Sequence, residues 1–334
     1  MSHCLHTSWL QVAAGDSLSL CDGGRLDRLL HSLSDPASQK PSLNFFIGGE
    51  SKDIILPQLF TLKKGVIGYG NALRADLSSC SSKNPIWVAE SDPSLQTLEP
   101  RKFLKCHKST SYPIKWKVES CQYLWNIIHA RLFFIFTDVI CIFADDLGGL
   151  EGVIKYLETW SSFQPSSSFS KHIRPRIVIF SSKKENDIIS EKLEVAEFRY
   201  RLLQEGKADI YDSFSEIITT NDAKGLRELL SKQMDQIRQI RVANFCHFSA
   251  LHISFFFKRA LRNLAESPNK PFNLISESRL MNVPDQDFEH HLTRFLDLSS
   301  ILKIPYDAIA SFISSSILMD AYPPGMHCKF DIRI

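Results

Sequence analysis

Two glycines, an acid, a serine and a lysine follow the first strongly apolar segment, and these residue types could contact a phosphate group. Leu43–Ile47 is typical of a buried strand, and the sequence GGESK follows it at 48–52. A phosphate-binding loop reads G-x-x-x-x-G-K-[ST], with backbone N–H groups around the phosphates and a lysine directed at them. If Gly49 is the last glycine of that motif, Glu50 replaces the lysine and Asn44, inside the strand, replaces the first glycine. A carboxylate there repels a triphosphate. The segment therefore predicts the strand and turn of a nucleotide-binding domain without the cation that binds the phosphates.

The turn after the next apolar strand, 85–89, is the second place where nucleotide chemistry would be expected. A D-x-x-G turn there would give an aspartate to Mg²⁺ and a glycine N–H to the γ-phosphate, whereas the sequence reads Glu90-Ser91-Asp92-Pro93. Glu90 could still approach a metal ion, but Pro93 has no N–H to donate. The alternative interpretation is an acidic turn that only ends a strand.

Two further polar segments follow strands. After the strand 176–180, the sequence SKKE at 182–185 is a loose match to the guanine-specificity motif N-K-x-D. After the strand 136–143, Asp145 and Asp146 lie where α/β sheets bind ligands, at the carboxyl end of a strand. Paired carboxylates could hold a cation or act as acid and base. Alternatively, one of them caps a helix that begins near Leu150.

A hydrolase is the competing hypothesis. The segment 49–53 begins like the nucleophile elbow G-x-S-x-G, with Ser51 as nucleophile and Asp145 or Asp146 as base. The segment DGGR at 22–25 resembles the glycine-rich oxyanion loop of patatin-type lipases. The elbow lacks its last glycine, because Asp53 stands there.

Cysteine and histidine spacing predicts no metal site and no cofactor. The eight cysteines form no C-x-x-C pair, and the histidines form no H-x-x-x-H pair. Scattered cysteines without a secretory signal predict a reducing compartment, and we expect a cytoplasmic protein.

The apolar segments predict an α/β fold, a parallel sheet with helices on both faces, followed by an α-helical extension. Residues 61–84 are expected to form a loop. Beyond about residue 190 the sequence shows helical periodicity over 191–205, 223–243, 251–266, 286–302 and 306–319, and no segment is typical of a strand. The predicted organisation is a polar N-terminal segment 1–40, an α/β domain 41–190, a helical extension 191–327 and a tail 328–334.

The amino-acid composition argues against a nucleic-acid partner and against a membrane span. Of the 334 residues, 39 are basic and 37 are acidic, which gives a net charge of +2. A charge this small creates no positive electrostatic field that would attract nucleic acid. The longest apolar run, 132–144, is too short for the ~20 residues that span a bilayer. No transmembrane segment and no nucleic-acid partner are therefore predicted.

These segments resemble the N-terminal region of large fungal proteins in which a P-loop GTPase-like domain precedes a patatin-like phospholipase domain. The resemblance is most specific over 136–150 and 317–327, and it covers nearly the whole chain. It implies a P-loop NTPase-like fold and places five residues at degenerate nucleotide-binding positions: Gly48, Gly49, Ser51, Lys52 and Glu90.

The departures from that family at 48–53 and 90–93 predict a pseudo-GTPase-like module without catalytic activity. The resemblance implies a protein partner, a phospholipase or a related protein. Only nine residues follow PPG at 323–325, which suggests a truncated paralogue or a fragment of a longer protein. A weak GTP-binding protein and the Ser51 hydrolase are the alternatives.

Overall fold

The computed structural model describes residues 6–15, 17–63, 71–96, 99–100, 109–163, 169–182, 213–244, 246–274, 277 and 287–320. The predicted helix 191–205, the motif residues 183–185 and the tail 328–334 lie outside these ranges.

A six-stranded sheet forms the centre of the molecule. Its strands are β3 Ser42–Ile47, β4 Asn71–Ala75, β5 Ile86–Ser91, β8 Val139–Phe143, β9 Arg176–Phe180 and β10 Glu216–Thr220. They lie in the order β10-β9-β8-β3-β5-β4. All neighbours are parallel except the edge pair β4 and β5. The carboxyl ends of β3, β5, β8 and β9 therefore meet at one edge of the sheet.

Helices cover both faces of this sheet, because its strands are apolar on both sides. One face packs against α2 Glu50–Leu59 and α6 Leu226–Ala243, through residues such as Phe46 and Cys141. The other face packs against α3 Cys121–Ile128, a π-helical turn His129–Phe133, α4 Phe134–Phe136 and α5 Gly149–Ser161. The predicted α/β fold with helices on both faces is confirmed.

A smaller sheet lies beside the main one and includes the N-terminal residues. Its strands are β1 Leu10–Ala14, β2 Ser19–Asp22, β6 Glu99–Pro100 and β7 Thr110–Pro113, in the order β6-β1-β2-β7. The short helix α1 Arg25–Leu30 follows β2. Asn71 joins the two sheets, since its side chain accepts hydrogen bonds from the N–H groups of Trp9 and Leu10. Much of the predicted polar segment 1–40 is therefore part of the core.

In the described part of the chain, three helices follow α6, and the sequence predicts helices in this region. Helix α7 Ala250–Glu266 packs into the main core, whereas α8 Phe288–Ile301 and α9 Tyr306–Asp320 form a hairpin with few buried side chains. Among the described residues, no helix combines the length and apolar character needed to cross a membrane.

Two secondary-structure predictions are wrong. Residues 71–75 form β4 rather than loop, and β10 adds a strand to the sheet after residue 190. Both strands are at the edges of the main sheet and include polar residues, Asn71 and Arg74 in β4 and Thr219 and Thr220 in β10, so neither shows the continuous apolar run that identifies the central strands.

Candidate functional site

The candidate site lies at the carboxyl edge of the main sheet, where β3 turns into α2. Only Gly48 and Gly49 separate this strand from the helix, so there is no room for a long phosphate-binding loop. Asn44 lies fully buried inside β3, as the sequence predicts. A Cβ atom at Gly48 would lie 2.5 Å from Asp146 Oδ2 and 2.8 Å from Phe143 Cβ. The glycine therefore allows the strand end and Asp146 to approach closely.

The carboxylate of Asp146 occupies the start of helix α2. Its Oδ2 accepts hydrogen bonds from the N–H groups of Gly49, at 2.7 Å, and Lys52, at 3.2 Å, and its Oδ1 accepts one from Ser51, at 3.0 Å. The free N–H groups and the helix dipole make such a helix start a favourable place for an anion. Here the protein supplies that anion from its own chain.

The predicted nucleotide-binding lysine is buried and already paired. The Lys52 side chain is only 3% exposed, and its Nζ lies 3.2 Å from Asp53 Oδ1. Burial raises the pKa of the nearby Glu90 carboxyl group, and the charge of Lys52 opposes that rise. Lys52 is thus a buried cation with two acidic neighbours, Asp53 and Glu90.

Glu90 is the next-to-last residue of β5 and is 1% exposed. Arg74 on β4 donates from Nε to Glu90 Oε1 over 2.7 Å, whereas Oε2 has no hydrogen-bond partner in the described part of the chain. Burial raises the pKa of Glu90 above its usual value, and Arg74 and Lys52 oppose this shift. The described residues contain no cluster of three or more histidine, cysteine or acidic residues that could hold a metal ion.

The turn after β5 lies against the start of α2: Ser91 O accepts a hydrogen bond from Gly48 N over 3.0 Å, and a Cβ atom at Gly49 would lie 3.4 Å from Asp92 Oδ2. Asp92 Oδ1 accepts hydrogen bonds from Ser94 N, at 2.9 Å, and from Ser94 Oγ, at 2.6 Å. Pro93 begins a short 3₁₀ turn and has no N–H for a phosphate. The turn 90–93 therefore has the geometry of an acidic turn that ends a strand.

Asp145 binds the loop that follows β9. It accepts from Ser181 Oγ over 3.0 Å and from the N–H of Ser182 over 2.7 Å, and it also bonds the Ser182 hydroxyl. The prediction that Asp145 or Asp146 caps the helix near Leu150 is wrong. That helix, α5, begins after Gly148 in a left-handed conformation at φ 86°, without a side-chain cap, because both carboxylates are used across the sheet edge.

Ser51, the nucleophile of the hydrolase hypothesis, is placed within the first turn of α2. Its backbone N–H, and not its hydroxyl, contacts Asp146. The hydroxyl has no hydrogen-bond partner among the described residues. The structure thus brings Ser51 and Asp146 together, but in a helix-capping arrangement.

His129 lies behind the site and is not indicated by the sequence. Its Nε2 lies 3.1 Å from both Ser91 Oγ and Gln96 Nε2, and its Nδ1 lies 2.7 Å from the Tyr156 hydroxyl. The ring is fully buried, and burial lowers its pKa to about 3. His129 is therefore neutral and fastens the turn 91–96 to α5. Its position in a π-helical turn depends on packing that a short sequence window does not reveal.

The opposite edge of the sheet carries a buried ion pair. Asp138, just before β8, accepts a hydrogen bond from Leu43 N over 2.9 Å and forms an ion pair with Arg241. Arg241 also donates to the carbonyl groups of Thr137, at 2.8 Å, and Ile173, at 3.2 Å. Burial raises the pKa of Asp138, and Arg241 opposes this shift. The pair joins the end of α6 to the sheet.

The sequence matches no protein-family profile. It also matches no curated protein. Among solved structures, one similar chain is an ADP-ribosylation-factor-like GTP-binding protein, the small COPII coat GTPase SAR1 from Encephalitozoon cuniculi, in complex with GDP. The identity is 8%, the TM-score is 0.33, and the match covers 66% of this chain and 87% of the other. At these values the likeness carries neither ligand nor function over to this chain.

Proposed function

We propose that this chain is a GTPase-like module that hydrolyses no nucleotide and acts through contact with another protein. The observation that supports the proposal best is the set of three hydrogen bonds from the start of α2 to Asp146. In this position the carboxylate takes the place that a bound phosphate would occupy.

A triphosphate would have to displace Asp146 and would then meet further negative charge. Glu50 is exposed in the first turn of α2, and Glu90 lies buried nearby with Lys52. Two unit charges 4 Å apart interact by about 4 kcal/mol at the effective dielectric constant of a protein surface. The lysine that would offset this repulsion is paired with Asp53.

The partner is proposed from the sequence resemblance alone. That resemblance favours a phospholipase or a related protein, with this chain in a regulatory role.

Nucleotide binding and turnover test the proposal directly. With GTP or ATP and Mg²⁺, we expect no phosphate release and no change in melting temperature, because the helix start is already occupied. A stabilisation of several degrees by GTP and Mg²⁺ that is lost in Lys52→Ala but kept in Lys155→Ala would overturn the proposal. Lys155 is a matched control, since it is an exposed lysine on α5.

A second measurement distinguishes the hydrolase alternative from the proposed function. A fluorophosphonate probe would label the native chain and not Ser51→Ala if Ser51 were an activated nucleophile. Our proposal predicts no labelling of either protein, since the contact with Asp146 uses the backbone of Ser51.

A further inference from the structure

A small cavity lies at the amino edge of the main sheet, across the sheet from the candidate site. Pro41, just before β3, and Asp138, just before β8, line it together with residues 246–248, which follow α6. Much of the remaining wall is apolar, as at Phe136 and Ile253. The cavity has a volume of about 20 Å³, and a single water molecule needs about 10–15 Å³ by the same measure. Only a particle of about that size can therefore occupy it.

Two polar side chains of the wall have hydrogen-bonding groups that the described residues do not use. Nε2 of His247 is buried and has no hydrogen-bond partner in the described part of the chain. Arg241 also lines the cavity and is 7% exposed. Of the five N–H groups of its guanidinium, three donate to Asp138 and to the carbonyl groups of Thr137 and Ile173. Two N–H groups of Arg241 and one imidazole nitrogen are thus available to an occupant of the cavity.

The charges around His247 make the electrostatic field in this region positive. Burial lowers the pKa of this histidine to about 4, and four cations add to the shift. They are Lys40, Arg241, Arg238 and Lys83. The carboxylate of Asp138 in the cavity wall is already engaged by Arg241 and by the N–H of Leu43. Surroundings that oppose a positive charge on the imidazole favour a negative charge beside it.

Two of these four cations have no carboxylate partner within the described ranges. Arg238 pairs with the exposed Asp235, and Arg241 pairs with the carboxylate in the cavity wall. Lys40 and Lys83 lie close together, since the N–H of Lys40 donates to the carbonyl group of Lys83 over 3.0 Å. Neither lysine side chain forms an ion pair with a described residue. An anion at this edge of the sheet would therefore offset positive charge that the described residues leave uncompensated.

We propose that this cavity binds a monatomic anion, chloride, between the imidazole of His247 and the guanidinium of Arg241. A single atom suits the volume of the cavity, whereas phosphate and sulfate, with a central atom and its oxygens, are too large. The anion would accept N–H hydrogen bonds from both side chains and would join the segment after α6 to the amino edge of the sheet. This site is independent of the proposed function, which concerns the carboxyl edge.

Melting temperatures of the full chain at pH 7 test the site. Relative to sodium gluconate at the same ionic strength, sodium chloride should raise the melting temperature in a saturable manner. An anion that binds only the folded state stabilises it, and gluconate is too large for the cavity. His247→Phe keeps a ring of similar shape and should remove the difference between the two salts. His252→Phe is the matched control, because His252 is also partly buried but lies on α7 outside the cavity wall, and it should keep the response. Equal melting temperatures of the native chain in the two salts, or a chloride effect that His247→Phe keeps, would overturn the proposal.

Bromide locates the anion without a variant. A crystal of the native chain soaked in sodium bromide should give an anomalous-scattering peak inside the cavity, in contact with His247 Nε2 and with Arg241. Density in the cavity without an anomalous signal would show that it holds water only. Bromide bound at the surface alone would show an adventitious ion only. Either of these two results would overturn the proposal, whether or not His247→Phe folds.

Discussion

Strand β8 has an aspartate at each end, and the two carboxylates differ in a way that separates structure from ligand binding. Asp138 precedes the strand and Asp146 follows it by three residues. Both accept hydrogen bonds from backbone N–H groups of the β3–α2 segment. Each therefore connects the same two elements, at opposite edges of the sheet.

The difference lies in charge compensation and exposure. Asp138 is buried and paired with the Arg241 cation, which is an arrangement of the permanent core. Asp146 is half-buried, forms no ion pair among the described residues, and is held by N–H groups at a helix start. An anion held in that way can be replaced by another anion, whereas the buried pair cannot be opened without loss of stability.

The largest expected effect is at the buried pair. Arg241→Met should lower the free energy of unfolding by about 3–5 kcal/mol, because it leaves a buried carboxylate without its cation. Urea unfolding followed by circular dichroism measures this loss. Arg238→Met removes a more exposed ion pair with Asp235 on the same helix and should cost less than about 1 kcal/mol. Equal losses for the two variants would show that the buried ion pair contributes no more to stability than the exposed one.

Lowering the pH should destabilise the folded protein, because His129, beside the carboxyl edge of the main sheet, is buried in its neutral form. The folded pKa is about 3 and the unfolded value is 6.5, so between these values the unfolded state binds the extra proton. The contribution of His129 to the free energy of unfolding is fully present above pH 6.5. It falls as the pH decreases, by about 2 kcal/mol between pH 7 and pH 5. The free energy of unfolding is measured for the native chain and for His129→Gln at pH 7 and at pH 5. The difference between the two proteins isolates the contribution of His129, because every other titrating group is present in both proteins. The same pH dependence in the two proteins would contradict it.

A smaller effect is expected when the internal anion is removed. Asp146→Ala should lower the free energy of unfolding by about 1–2 kcal/mol, because the start of α2 loses its cap. Pyrophosphate should then raise the melting temperature of the variant, measured by calorimetry, and leave that of the native chain unchanged. If pyrophosphate stabilises neither protein, the helix start is a structural cap only.

The smallest effect is expected at the neighbouring carboxylate. Asp145→Ala should cost about 0.5–1 kcal/mol, since its partners Ser181 and Ser182 can bind water instead. It should create no response to pyrophosphate, because no helix start is vacated. A pyrophosphate response equal to that of Asp146→Ala would show that the two acids are not distinct.

The sequence predicts the central strands because continuous apolar runs such as 43–47 and 176–180 can only be buried. It also places Asp145 and Asp146 correctly at the carboxyl edge of the sheet. Their hydrogen-bond partners could not be predicted, because Asp146 and Gly49 are 97 residues apart and meet only through the parallel pairing of β3 and β8. The ion pair of Asp138 with Arg241 spans 103 residues and depends on the same packing.

The backbone amide resonances of Gly49, Ser51 and Lys52 report most directly on whether Asp146 holds the anion position. In ¹⁵N–¹H spectra, pyrophosphate added to the native chain should leave these three resonances unchanged, and in Asp146→Ala it should shift all three. A shift of the same resonances in the native chain would contradict the account, because it would show that the helix start is open to an external phosphate.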